Sequence, residues 1–359
     1  RVRRVSVVVA TRETPEAVAR RVADLAATDH PAEDLQIVVA VDRDAPYARD
    51  AYERALRPSR LPATIADGRV RPAPELVVVQ ATRGAGKSAA LDCGVAAARH
   101  PLLVFADTAQ SFDRGAIGAL ARYLDDPRFG AVTGRLSFDE RDDGGSVMGR
   151  FWAYELWLRT LEARVHSVVA VTGAIYAMRR ELWCTPPAGL ICDDLFVPLE
   201  VVRRGHRVGH CPEARAYDGR TFTREQETAR KVRTLTGMLQ MCAWQPWILQ
   251  PWRNPIWVQF VCHKLIRLAT PLLVAIVALG VTWELAAAGW LRDAVAAAIV
   301  GAGSALIVLD LRRPGAGRGA AARVAMALRL LASPLVAMSY ALRGDWNVWA
   351  PVRPPQGLR

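Results

Sequence analysis

Lysine is almost missing from this chain. Of 359 residues only Lys87, Lys231 and Lys264 are lysine, and arginine carries nearly all of the positive charge behind a net +12. Such a bias reflects genome composition, so each surviving lysine marks a position where arginine would serve poorly. Cysteine is sparse as well. Its six copies (Cys93, Cys184, Cys192, Cys211, Cys242, Cys262) form no CxxC pair, which fits a reducing compartment better than a disulfide framework. Zinc-finger spacing, basic-region heptads and an RNP-like aromatic motif are all lacking, so nucleic acid is excluded as the partner for the basic charge. An anionic membrane surface or a phosphate-bearing substrate remains. There is no signal peptide, and the first residue is Arg1 rather than Met. The expectation is that the natural start lies upstream, with room there for further membrane helices.

What the chain does have is apolar residues, 52% of the total. That is slightly above the soluble range. Most of the excess lies beyond His263. Before it, residues 1 to 135 alternate β-branched runs (Val5–Ala10, Ile37–Val41, Leu76–Gln80, Leu102–Ala106, Ala131–Arg135) with amphipathic stretches. Val18, Val22, Leu25 and Ala26 share one helical face, and Ile117, Leu120, Ala121 and Leu124 share another. This alternation predicts an α/β fold with a largely parallel sheet and helices on both sides. Arg57–Pro74 and Asp139–Gly145 read as solvated loops. Val147–Asp218 reads as a helix to Val165, an apolar run Ser167–Met178, an acidic turn at Asp193 and Asp194, and a helix through Arg203.

The last third changes character. Leu268–Trp283 carries no charge and continues, past Glu284, to Leu291. Ala294–Leu309 is a second uncharged run, and Val324–Leu342, interrupted by Arg329, a third. A membrane-crossing helix needs about 20 mostly apolar residues. His263, Lys264 and Arg267 precede the first run. Arg312, Arg313, Arg318 and Arg323 follow the second. The positive-inside rule puts both clusters, and the N-terminal domain, on the cytoplasmic side. Trp244, Trp247, Trp252 and Trp257, interleaved with prolines, suit short helices lying along the interface. The expected division is a cytoplasmic domain over 1–235, interfacial amphipathic helices over 236–267, and a transmembrane region with two or three spans and a tail over 268–359. The setting is a multi-pass protein of the cell (inner) membrane with membrane lipids around it.

Several motifs carry chemistry, each with a bland rival. Arg83-Gly84-Ala85-Gly86-Lys87-Ser88 looks like a P-loop, but Ala81 stands where a P-loop needs glycine. A flexible turn into a helix, with Lys87 near its start, suits a diphosphate just as well. Asp107 and Asp42 each follow an apolar strand, at the edge where open α/β sheets bind ligands. A carboxylate there can hold a divalent ion against a nucleotide diphosphate, or merely cap a turn. Asp193-Asp194 before an apolar helix is either a cap or a general base. Arg230, Lys231 and Arg233 form a membrane-facing basic patch or a clamp on a departing diphosphate.

In order and number these pieces resemble the processive-type inverting glycosyltransferases of family 2, the group of cellulose, chitin, hyaluronan and poly-N-acetylglucosamine synthases. The likeness runs from Val5 to about Gln240. Val7-Val8-Val9-Ala10-Thr11-Arg12-Glu13 and Val38-Val39-Ala40-Val41-Asp42 resemble its two nucleotide-binding strands. Gly86-Lys87-Ser88-Ala89-Ala90-Leu91-Asp92-Cys93-Gly94 is similar to its GKxxALNxG stretch. Val104-Phe105-Ala106-Asp107-Thr108-Ala109-Gln110 resembles its metal motif, Thr172–Arg180 its acceptor-side segment, and Ile191-Cys192-Asp193-Asp194 the motif ending in the base. Two departures stand out: Ala109 replaces the usual second acid, and Arg230-Lys231-Val232-Arg233-Thr234 lacks the Gln and Trp of Gln-x-x-Arg-Trp. Processive and single transfer therefore both stay open.

The resemblance implies a glycosyltransferase A-type, Rossmann-like mixed sheet followed by interfacial and transmembrane helices. It implies Thr11, Glu13 and Asp42 at the uridine of a UDP-sugar, Lys87 at the diphosphate, and Asp107 on a Mg²⁺ or Mn²⁺ ion. Asp194 would be the base with Asp193 beside it, and Arg230 and Arg233 would offset charge on the leaving diphosphate. A glycan or lipid-linked acceptor, and export or synthase subunits as partners, complete the picture. Three alternatives stand beside it: a catalytically impaired binding or assembly protein, a polyprenyl-phosphate monosaccharide transferase, and a P-loop nucleotide hydrolase.

Overall fold

The computed structural model describes residues 3–57, 65–66, 69–70, 73–138, 147–220, 223–287, 289–312 and 320–348. The chain divides into two compact units, Arg1–Thr221 with Pro246–Gln259, and Phe222–Gln245 with Phe260–Arg359. Asp139–Gly145, most of Arg57–Pro74, and Arg313 and Arg318 lie outside the described residues.

The first unit opens with β1 (Val5–Thr11), α1 (Pro15–Ala26), β2 (Leu35–Val41) and α2 (Arg49–Ala55). A short hairpin, β3 (Ile65–Ala66) and β4 (Arg69–Val70), precedes β5 (Glu75–Gln80) and α3 (Lys87–Ala97). Then follow β6 (Leu102–Ala106), β7 (Ser111–Phe112), α4 (Ala116–Tyr123), β8 (Phe129–Phe138), α5 (Val147–Val165), β9 (Ile175–Arg179), α6 (Asp193–Arg203) and β10 (Arg207–Asp218). Eight strands form one sheet in the order β5-β2-β1-β6-β9-β8-β10-β7. β5, β2, β1 and β6 run parallel, β9 is antiparallel to both β6 and β8, and β10 is parallel to β8. The sheet is thus mixed, as in a glycosyltransferase A-type fold.

The β-branched runs become strands because helices cover both faces, so a central strand must be apolar throughout. All seven residues of β2 are buried. Its one polar member, Gln36, is satisfied: its Oε1 accepts from Ser6 Oγ (2.7 Å) and from the Arg99 amide (3.0 Å). α1 begins at Thr14, whose hydroxyl accepts the Ala17 amide, with Pro15 in the first turn, and it buries Val18, Val22 and Leu25. α3 lies close on the sheet because Gly94 has no side chain. A Cβ there would come within 2.6 Å of Val8 Cγ1 and 2.9 Å of Ala40 Cβ. This contact fixes how far the start of α3 reaches over the C-terminal ends of β1 and β2.

Two strands differ from the pattern read in the sequence. Of the run Ser167–Met178, only its end pairs in the sheet, within β9. The preceding residues bend, and their amides bond elsewhere: Val168 to Val208 O, Val171 to Asp194 O, Thr172 to Thr133 Oγ1. β10 carries Pro212 and Glu213, which hide it from a strand pattern. They sit where the register with β8 shifts, between Cys211 and Arg215, so Pro212 needs no ladder bond.

The second unit contains α7 (Arg224–Trp244). Beyond α8 (Trp257–Phe260) come α9 (Ile266–Ala287), α10 (Trp290–Arg312) and α11 (Ala320–Leu342). α7 starts on a reciprocal cap between Thr223 and Gln226, and α11 packs against α7, α9 and α10. Among the described residues one helical stretch, Trp257–Glu284, is long and apolar enough to cross a membrane, with mean hydropathy 2.1. It buries almost none of its apolar surface within the protein. Asp293–Ser304 and Leu328–Leu342 are apolar but shorter.

Candidate active site

The C-terminal ends of β1, β2 and β6 bring three of the expected residues to one edge. Thr11 closes β1, and its hydroxyl accepts the Glu13 amide (3.0 Å) and the Thr108 hydroxyl (3.2 Å). The Glu13 carbonyl accepts from the buried Tyr52 hydroxyl at 2.7 Å. The turn after β1 is therefore fixed by backbone and hydroxyl bonds, which leaves the Glu13 side chain out of its support.

Asp42 follows β2 and is 1% exposed. Its Oδ1 accepts the Asp44 amide (3.1 Å) and the Gly86 amide (3.0 Å), while Arg12 Nε lies 3.4 Å from Oδ2. The bond to Gly86 ties the end of β2 to the glycine turn before α3. Gly84 and Gly86 have φ of 74° and 87°, values a side chain would oppose. That turn delivers Lys87 as the first residue of α3.

Lys87 is the centre of the site. Its Nζ lies 3.4 Å from Asp107 Oδ1 and 3.5 Å from Asp193 Oδ2. Burial alone would lower the ammonium's pKa. Asp107, Asp193 and Asp194 outweigh it and raise the value above that of an ordinary lysine, so Lys87 is charged at any physiological pH. Asp193 is the first residue of α6 and Asp194 the second, and the Asp194 carbonyl accepts the Val171 amide at 3.0 Å. A Cβ on Gly173 would stand 3.6 Å from Lys87 Nζ and 3.7 Å from Asp194 Cβ, so this glycine leaves the space between them open. Residues far apart in sequence thus meet around one ammonium.

Other residues at this edge had no individual role from sequence, although Gln110 ends the segment resembling the metal motif and Tyr176 lies in the one resembling the acceptor-side segment. Arg21, on the apolar face of α1, is 2% exposed. Its Nε donates to the Asp107 carbonyl (3.0 Å), its Nη1 pairs with Asp24, and its guanidinium lies 4.1 Å from the Phe112 ring centre. Burial lowers its pKa to about 10 against the pull of Asp24 and Asp107. The signal was an arginine in helical phase with Val18, Val22 and Leu25. Gln110 donates to Asp218 (2.8 Å), and Arg220 forks onto the same carboxylate at 2.9 and 2.7 Å. Tyr176 of β9 lines one small cleft with Lys87, Asp107, Gly173 and Asp193. Burial first, then the neighbouring acids, push its hydroxyl's pKa well above 10, so it stays protonated.

Arg230 and Arg233 belong to α7 in the second unit. Arg230 lies 3.7 Å from Glu227 Oε1. Arg233 lines a groove of about 550 Å³ with Val232, Arg329, Val336, Tyr340 and Val348.

The donor set limits what metal this edge can take. Asp107 offers one carboxylate, Ala109 none, and among the described residues no group of three His, Cys, Asp or Glu could hold a metal. One carboxylate does not hold a divalent ion by itself, so these residues would fit one only where a bound diphosphate supplied most of its oxygens.

The family model described as glycosyltransferase like family 2 matches residues 3–243. The chain belongs to that family. The family 2 domain spans every element of the edge described above. A mannosyltransferase, PcManGT from Pyrobaculum calidifontis, solved with GDP-Man and Mn²⁺, is 20% identical with a TM-score of 0.68, over 95% of this chain and 88% of that one. The TarS 1–349 structure from S. aureus is 14% identical with a TM-score of 0.46, over 69% of this chain and 66% of that one. At such identity the first shows the fold alone. No curated protein sequence matches the chain.

Proposed function

We propose that this family 2 glycosyltransferase moves a sugar from a UDP-sugar to a glycan or lipid-linked acceptor, with inversion, at the cell membrane. The role would be cell-surface or extracellular polysaccharide synthesis. The observation that carries the reading is the meeting of Asp107, Asp193 and Asp194 around Lys87, beside the buried Asp42.

The chemistry follows from the charges. Asp42 and the rigid turn Thr11–Glu13 hold the nucleoside, since a buried carboxylate accepts base or ribose donors well. Lys87 at the start of α3 turns its ammonium to the diphosphate, where the helix's first amides add to it. A divalent ion on Asp107, when bound, supplies charge to the leaving diphosphate. Asp194 takes the proton of the acceptor hydroxyl as that oxygen forms its bond to the anomeric carbon. The bond from that carbon to the diphosphate breaks on the opposite face, and the diphosphate leaves with the electron pair. Fixed charges placed where charge develops contribute most to the rate. The catalytic unit would face the cytoplasm, anchored through Trp257–Glu284.

A second reading, single transfer to a polyprenyl phosphate, is supported by the groove on the second unit. Arg233 and Arg329 suit a phosphate, and Val232, Val336, Tyr340 and Val348 suit an apolar chain. Radiolabelled UDP- and GDP-sugars given to membranes containing the protein decide between them. Long product supports polymerisation, and a one-sugar lipid supports the second reading. No transfer and no donor hydrolysis would favour a binding or assembly role, and nucleotide triphosphate hydrolysis alone would favour the P-loop reading.

A further inference from the structure

Tyr176 carries a hydroxyl for which the fold supplies no partner. The residue is 1% exposed, and its oxygen makes no hydrogen bond. The ring cannot turn to find one. It stacks on Phe105 (4.5 Å between centres, 12° between planes), and Phe105 stacks in turn on Trp183 at 5.2 Å. Trp183 is itself held, with its Nε1 donating to Asp92 Oδ1 at 3.1 Å. In the sheet Tyr176 pairs with Phe105, two residues before Asp107. Asp107 follows directly on the end of β6 and lines one cleft with Tyr176.

A buried hydroxyl without a hydrogen bond destabilises a fold, and phenylalanine would fill the same space without that penalty. Tyr176 lines a tight cleft with Lys87, Asp107, Gly173 and Asp193. The carboxylates of Asp107 and Asp193 accept well from alcohol groups. A fixed O–H beside two acceptors matches a neutral polyol, whose hydroxyls both give and take hydrogen bonds. Nucleobase and diphosphate have other candidates in Asp42 and Lys87, and the sugar has had none.

We infer that the Tyr176 hydroxyl is a specificity-determining hydrogen-bond donor to the sugar of the nucleotide-sugar. This rests on the glycosyltransferase reading and adds to it the residue that tests the sugar's hydroxyl pattern. A site built to bond a hydroxyl rejects an analogue lacking it, because its own polar group is left unpaired.

The test uses the full chain in detergent micelles, wild type and Tyr176→Phe. The probes are UDP, GDP, UDP-glucose, UDP-N-acetylglucosamine and GDP-mannose, with monodeoxy forms of whichever sugar nucleotide binds. Tyr176→Phe should melt at the same temperature as wild type or higher and bind the free nucleotide equally. It should lose about tenfold in affinity for the sugar nucleotide. One monodeoxy donor should lose the same factor with wild type and nothing further with the variant. Unchanged sugar-nucleotide affinity overturns the inference, as does an equal loss for free UDP or GDP, or a lower melting temperature. Failure of the wild type to bind any sugar nucleotide would instead sink the glycosyltransferase reading beneath it.

Discussion

Removing the Lys87 ammonium should uncover how much charge the site holds in check. In Lys87→Met the side chain keeps its length, and three carboxylates, Asp107, Asp193 and Asp194, lose their shared counter-ion. At 3.4 Å an ion pair in an effective dielectric of 20 attracts by about 5 kcal/mol, an upper bound. Lys87 is 34% exposed and Asp107 39%, so water screens that arm heavily, whereas the Asp193 side chain is only 13% exposed. Exposed pairs are worth about 0.2–1 kcal/mol, and breaking a buried one costs about 3–5 kcal/mol. The expected loss lies between, about 1–3 kcal/mol at pH 7.5, or about 3–9 °C in melting temperature for a domain of this size.

The pH dependence gives the sign. In the wild type the raised Lys87 pKa means its contribution is complete below the ordinary lysine value and is lost only as pH rises through the folded one. The deficit of Lys87→Met is therefore full at neutral pH and should still be present at pH 9, below the ordinary lysine value. Melting curves of both proteins in the same micelles, at pH 7.5 and pH 9, check this. Equal melting at pH 7.5, or a deficit that has vanished by pH 9, refutes the reasoning. Lys87→Arg separates charge from shape: it should recover stability but transfer slowly, since the larger, planar guanidinium does not reproduce the compact ammonium between Asp107 and Asp193.

Asp194→Asn should lose roughly 10²–10⁴-fold in transfer rate with donor affinity nearly unchanged, while Asp193→Asn should lose less rate and more stability through its contact with Lys87. Initial rates and donor titrations run side by side decide, and a dead Asp193→Asn beside a normal Asp194→Asn would mean that the base is the other carboxylate. Ala109→Asp should raise the affinity for Mn²⁺ measured without donor and keep transfer, and tight Mn²⁺ binding by the unaltered, nucleotide-free protein would contradict the view that the diphosphate holds most of the ion. The apolar, exposed helix Trp257–Glu284 should keep the full chain in the pellet after alkaline extraction of membranes, and its recovery in the wash would remove the anchor.

Local pattern could reach only part of this site. Continuous apolar, β-branched runs located β1, β2 and β6, and their ends placed Asp42 and Asp107 on the ligand edge. The scarcity of lysine drew attention to Lys87, and the glycines before it foretold a turn into a helix. What no local pattern holds is the insertion of β9 between β6 and β8. That pairing joins segments distant in sequence, and the strand itself looks like the apolar bend that precedes it. It is this pairing that carries Tyr176 into one cleft with Asp107, while the neighbouring Thr172–Ala174 bend and α6 bring Gly173 and Asp193 up to Lys87. The same distance explains why sequence left Asp193 open between a cap and a place beside the base: at its own helix start it suits a cap, and only the ammonium from α3 gives it a second task. Arg21 had no reading from sequence for a like reason: its helical phase with Val18, Val22 and Leu25 signals burial, but nothing near it in sequence shows that its guanidinium would meet Phe112 and its Nε would hold the Asp107 backbone. Strand order, more than residue identity, thus decides which polar residues become a site.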